Sequence, residues 1–115
     1  MAPGRARDAR LPWAGRRGGS DAPVEIPDPL AEVYGAVTRR PAGGRPLNAD
    51  EAVHTDTAIA ASTVGGAESV GLERELGRIR EGSAADLALL DRDPLSITPE
   101  RLLDVKVRMT VAAGQ

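Results

Sequence analysis

The run Gly77-Arg78-Ile79-Arg80-Glu81-Gly82-Ser83-Ala84-Ala85-Asp86-Leu87-Ala88-Leu89-Leu90-Asp91 is where the chain changes its period. Glu81-Gly82-Ser83 reads as a turn, and residues 85–90 read as a mostly buried strand. Asp91-Arg92-Asp93-Pro94 ends that strand. Thr98-Pro99-Glu100 then opens a short helix carrying Leu102 and Leu103. Val105, Val107, Met109 and Val111 alternate with Lys106, Arg108 and Thr110, the cleanest strand pattern in the chain. Two or three short strands need other partners to form a stable sheet.

Upstream the pattern is helical. Asp28 suits an N-cap and Pro29 the first turn. Leu30, Val33, Tyr34 and Val37 follow at i, i+3, i+4, i+7, one apolar stripe. Arg39 and Arg40 complement the helix dipole, and Pro41 stops the helix. A second helical region spans about residues 55–72, with Gly65-Gly66 expected to split it. Asn48 followed by Glu51 resembles a capping box, which would start that helix earlier.

The inventory for a core is thin. The 115 residues include no Phe, one Trp (Trp13) and one Tyr (Tyr34), against 13 Gly and 9 Pro. Such a chain is poorly equipped to hold a core alone, so apolar faces should stay exposed on both helical regions and on the strand after Val105. The absence of cysteine excludes disulfides and thiolate metal sites. No run approaches the roughly 18 apolar residues of a membrane span, and the expectation is a cytoplasmic protein without membrane contact. Net charge is −2, but Arg5, Arg7, Arg10, Arg16 and Arg17 face only Asp8 before Gly19. This arm lacks the alternating aromatics on which single-strand binders stack bases. It reads as a disordered tail in preference to a nucleic-acid contact.

Catalytic constellations are scarce. His54, the single histidine, has no His, Cys or Glu at ligand spacing and reads as a capping or surface residue. No serine lies in a nucleophile elbow, and Gly15 to Gly19 lacks the ending of a phosphate loop. Asp21, between Gly-Ser and Ala-Pro, reads on spacing alone as a turn residue.

The order of motifs adds more. Gly19-Ser20-Asp21-Ala22-Pro23-Val24, a helix ending Ala36-Val37-Thr38-Arg39, Pro46-Leu47-Asn48, the quoted run from Gly77 to Asp91, and Val107-Arg108-Met109-Thr110 through Gly114 together resemble the C-terminal end of the amidohydrolase superfamily, in its third amidohydrolase subfamily. The resemblance covers roughly residues 18–115. It implies an α/β architecture: the C-terminal end of a (β/α)8 barrel, as two helical regions, followed by a few strands of an accessory β-sandwich. The expected division is a disordered arm at 1–18, a mostly helical barrel remnant at 19–76 and partial sandwich strands at 77–115.

By the same resemblance, Asp21 matches an aspartate at the end of the eighth barrel strand that is both catalytic residue and metal contact. In the family a divalent metal, usually zinc, activates water and polarises the scissile carbonyl. The aspartate takes the water's proton and passes it to the leaving amine. The family's His-x-His pair, its bridging lysine and two later histidines would lie upstream, and this chain does not carry them. Trp13-Ala-Gly-Arg-Arg-Gly18 also departs from an apolar barrel strand. The expectation is therefore a fragment of a hydrolase of small-molecule carbon–nitrogen bonds, inactive and metal-free on its own. Both ends read as cut, and the arm as sequence foreign to the family from a shifted frame or a misplaced start. The alternative is a non-catalytic module that docks onto a complementing chain or self-associates.

Overall fold

A computed structural model describes residues 17–23, 27–41 and 44–115. The expectations for residues 1–16, including Trp13 and most of the arginine arm, lie outside the described residues. The elements run α1 (Pro29–Thr38), a 3₁₀ turn (Ala49–Glu51), α2 (Thr55–Ser62), α3 (Val64–Ser69), β1 (Leu87–Leu90), a longer 3₁₀ turn (Pro99–Asp104) and β2 (Val107–Val111).

α1 forms for the reasons its sequence suggests. The Asp28 carboxylate accepts hydrogen bonds from the backbone N–H groups of Leu30 (3.1 Å) and Ala31 (3.2 Å), satisfying two otherwise orphaned donors. At the other end Arg39 adopts a left-handed conformation and its N–H returns to the Gly35 carbonyl. Val33 is buried on the predicted stripe, with Tyr34 and Val37 packed beside it.

Two helical details differ from the sequence reading. Asn48 sits in the left-handed region and makes no side-chain cap, so the Asn48/Glu51 pair closes a separate 3₁₀ turn and α2 starts only at Thr55. The break in the second helical region falls at Thr63, upstream of the glycine pair, which lies inside α3. The cause is side-chain competition. Ser62 Oγ donates to the Ala58 carbonyl (3.2 Å) and Thr63 Oγ1 to the Ile59 carbonyl (2.9 Å). Such back-bonding weakens and bends a helix, and here two consecutive residues do it.

The core is small and joins the two halves of the chain. Val33 of α1, Ala58 of α2 and Leu102 of the second 3₁₀ turn form one buried cluster. Leu102 is fully buried, and Val105 follows it inside. This covers the α1 stripe, which the sequence reading expected to stay exposed. Pro99–Asp104 supplies the partner surface because its 3₁₀ geometry turns Leu102 inward while Leu103 faces solvent.

β1 and β2 pair antiparallel, with Leu87 opposite Val111, Leu89 opposite Met109, and a register shift between Leu89 and Leu90. The strand expected to be mostly buried is exposed at Leu87 and Leu89, as are Val107 and Met109 on β2. Among the described residues, nothing lies over one face of this two-stranded apolar ribbon. Asp91 locks the end of this hairpin. Its backbone N–H donates to the Lys106 carbonyl (2.9 Å), and its carboxylate accepts from the Lys106 N–H (2.9 Å) and from Arg92 at 3.2 Å. At the far end Asp86 Oδ1 accepts from the Ala113 N–H (2.7 Å).

Two outcomes follow. Leu102→Ala removes the fully buried leucine of the cluster with Val33 and Ala58 and should cost about 2–5 kcal/mol, measured by urea unfolding, whereas Leu89→Ala on the exposed face should change stability little. The second concerns pH. Hydrogen bonding from Arg92 and from the Lys106 backbone lowers the Asp91 pKa below its usual 3.8, and Ser96 with the Leu95 backbone does the same for Asp93. A lowered folded-state pKa means the unfolded chain binds more protons in acid. Both contributions are present above about pH 4 and disappear as pH falls through the lowered values. Asp91→Asn should flatten that acid dependence in a pH series of thermal unfolding.

Candidate functional site

Asp21 lies on the segment that leads into α1, and it is exposed. Its φ is 55°, in the left-handed region, where Asp and Asn are the most tolerated residues after Gly. Ser20 supports the turn by accepting a hydrogen bond from the Ala22 N–H at 3.3 Å. Asp21 is thus a turn residue by conformation and a presented carboxylate by exposure. The two readings of it are compatible. Among the described residues, Arg17 to Asp21 belong to no strand.

The segment is anchored to α2. The Gly18 N–H donates to the Ala61 carbonyl at 3.1 Å. Gly18 lies so close to α2 that a Cβ there would stand 3.0 Å from Ser62 Oγ. A cavity of about 330 Å³ opens beside this contact, lined by Arg17, Gly18, Val33, Thr57, Ala58 and Ala61 among others. Thr57 is buried, and its hydroxyl reaches Asp56 Oδ1 at 3.3 Å.

The α2–α3 junction also receives the chain from the other side. Gly77 has φ +86°, and a Cβ there would stand 3.0 Å from both the Thr63 carbonyl oxygen and Val64 Cα. The Gly77 turn thereby packs on the helix break and directs the chain towards β1. Sequence reasoning found Gly77 as a boundary but missed both contacts. The Ser62-Thr63 pair was the available signal, through its capacity for back-bonding.

The rest of the predicted chemistry stays dispersed. His54 occupies the N-cap position of α2, exposed and making no capping bond with its side chain. Asp91 and Asp93 are tied into the hairpin end and its following turn. Among the described residues no three His, Cys, Asp or Glu side chains gather to hold a metal ion. A catalytic zinc needs about three protein ligands, so Asp21 with its described neighbours does not fit one. No described helix is long and apolar enough to cross a membrane.

The described residues thus combine an exposed aspartate, two helical regions and a short hairpin. The chain belongs to the amidohydrolase family, whose model matches residues 4–115. That match begins well before Gly18, so residues 4–17 are family sequence, and the reading of the arm as foreign is corrected. YtcJ of Bacillus subtilis (strain 168), named as an amidohydrolase, is 38% identical over 101 residues, covering 85% of this chain and 19% of that protein. The N-substituted formamide deformylase of Arthrobacter pascens is 36% identical over 95 residues, 83% of this chain and 18% of the enzyme. The 5'-deoxyadenosine deaminase of Methanobrevibacter smithii is 40% identical over 50 residues, 44% of this chain and 12% of that enzyme. The chain thus spans less than a fifth of the length of these relatives. No solved structure matches it.

Gly77→Ala tests the junction. A left-handed φ costs a non-glycine residue roughly 1–2 kcal/mol, and the close backbone contacts add to that. The variant should lose at least that much in urea unfolding, whereas Gly66→Ala, with open space around it, should not.

Proposed function

We propose that this chain is the C-terminal part of a metal-dependent amidohydrolase that cleaves non-peptide carbon–nitrogen bonds in small molecules. The observation that carries the reading is the family match over residues 4–115 together with the exposed, left-handed Asp21 in Gly19-Ser20-Asp21-Ala22-Pro23. The names of two relatives, a deformylase and a deaminase, support carbon–nitrogen chemistry.

In this reading Asp21 is the catalytic carboxylate and the chain's one contribution to the metal site, zinc being the expected ion. Its role is proton transfer: a carboxylate at the nucleophilic water accepts the proton as the carbon–oxygen bond forms. It then returns that proton to the nitrogen as the carbon–nitrogen bond breaks. The remaining ligands belong to the rest of a (β/α)8 barrel, with the site at the C-terminal ends of its strands. Residues 19–76 are the barrel remnant and 77–115 part of the accessory sandwich. The chain alone is inactive and holds no metal. The lack of cysteine suits the cytoplasm.

A second reading is favoured by the uncovered face of the hairpin, where Leu87, Leu89 and Met109 are 40%, 55% and 54% exposed. The chain would then act as a non-catalytic module docked onto a complementing chain or a second copy. A contiguous apolar surface of this kind marks an interaction site in many soluble proteins.

The test is metal content and hydrolysis of an N-substituted formamide, for the 115-residue chain and for the longest reading frame that contains it. The chain alone should be metal-free and inactive. The longer protein should hold zinc, and Asp21→Asn in it should lower kcat by roughly 10²–10⁴-fold while leaving its circular dichroism unchanged. Full activity in that variant would remove Asp21 from the mechanism. A hydrolytically silent longer protein, with a stable complex of the short chain, would favour the docking module.

A further inference from the structure

We propose that Gly18 is a positioning residue for Asp21, seated by the interruption between α2 and α3. The inference rests on the reading of Asp21 given above, and its contacts are independent of that reading.

The seat exists because the helix stops. In a continuous helix the Ala61 carbonyl would accept from the amide four residues on. Thr63 departs from helical geometry with φ −111° and ψ −81°, and the Ala61 carbonyl instead accepts the Gly18 N–H at 3.1 Å. The helix end thus satisfies one of its orphan acceptors with the segment that carries Asp21. Steric fit adds to the bond. Ser62 Oγ occupies the place next to where a Cβ of residue 18 would stand, 3.0 Å away, with Ser62 Cα and N at 3.7 Å. Gly18 has no left-handed φ, so its requirement for glycine comes from this contact alone. Gly19, by contrast, has nothing within 4 Å of its Cβ position. Two residues separate Gly18 from Asp21, and the Ser20–Ala22 hydrogen bond spans Asp21 itself. A shift at Gly18 therefore passes directly to the left-handed turn.

Ser62 and Gly18 form a matched pair. Enlarging residue 18 should displace Asp21, and removing the Ser62 hydroxyl should make room and restore it. A role confined to global stability would move the Leu102 methyls together with the Asp21 readout.

The experiment uses the ¹⁵N-labelled 115-residue chain and the variants Gly18→Ala, Gly19→Ala, Ser62→Ala and Gly18→Ala/Ser62→Ala. Amide hydrogen exchange at residue 18, the HN–Hα coupling of Asp21 and the methyl shifts of Leu102 are read in each. In the parent chain the Gly18 amide should be protected roughly five- to tenfold, as one modest hydrogen bond provides. Gly18→Ala should abolish that protection and change the Asp21 coupling while the Leu102 methyls stay put. Gly19→Ala should do neither, and the double variant should return both readouts to the parent values. An unprotected Gly18 amide, equal effects of the two glycine variants, or no rescue by Ser62→Ala would each overturn the proposal. If Gly18→Ala unfolds the chain, refolding of the double variant supports the pair, and its failure to refold overturns it. No step uses activity, so loss of the catalytic reading of Asp21 would show separately, in the kinetics of Asp21→Asn.

Discussion

The burial of Leu102 against Val33 and Ala58 is the contact on which the rest depends. Among the described residues it gathers side chains from α1, α2 and the C-terminal 3₁₀ turn into one buried cluster. A chain without Phe, and with much of its apolar content in alanine, has few large side chains to bury. A fully buried leucine supplies roughly 1.5–3 kcal/mol by area alone, a large share of what a small domain retains. α1 is held to α2 by this cluster, and the β hairpin follows from the same turn through the buried Val105.

The helix break at Thr63 organises the remaining chain. Hydroxyls of Ser62 and Thr63 share the Ala58 and Ile59 carbonyls with the helical ladder, and two glycines pack at the break that follows. Gly18 brings in the segment with Asp21, and Gly77 brings in the turn that leads to β1. A Cβ at Gly77 would crowd backbone atoms at 3.0 Å, and one at Gly18 would crowd the Ser62 hydroxyl. The interruption between α2 and α3 is thus the meeting point of the segment before α1 and the turn that leads to β1.

The exposed sheet face has the same physical origin as the thin core. β1 and β2 carry alternating apolar residues, which is the pattern of a strand covered on one face. Leu87, Leu89 and Met109 remain more than a third exposed because no described element lies over them. Asp91 and Asp86 clamp the two ends of the ribbon through backbone N–H groups. The hairpin's register therefore survives without the packing that normally specifies it.

The sequence by itself determined the local elements and the family. Asp28-Pro29 wrote the start of α1, the alternation around Met109 wrote β2, and Glu81-Gly82-Ser83 wrote the turn before β1. These signals are legible because capping, side-chain period and glycine freedom act over a few residues. It also singled out Asp21, though only through the company of neighbouring motifs. Tertiary structure alone decided that Leu102 faces both helices and Leu103 does not, and that the second helical region breaks at hydroxyl residues upstream of its glycines. It decided too that Gly18 lies against Ser62. Those outcomes depend on which surfaces approach each other across tens of residues, and no short-range propensity encodes that choice.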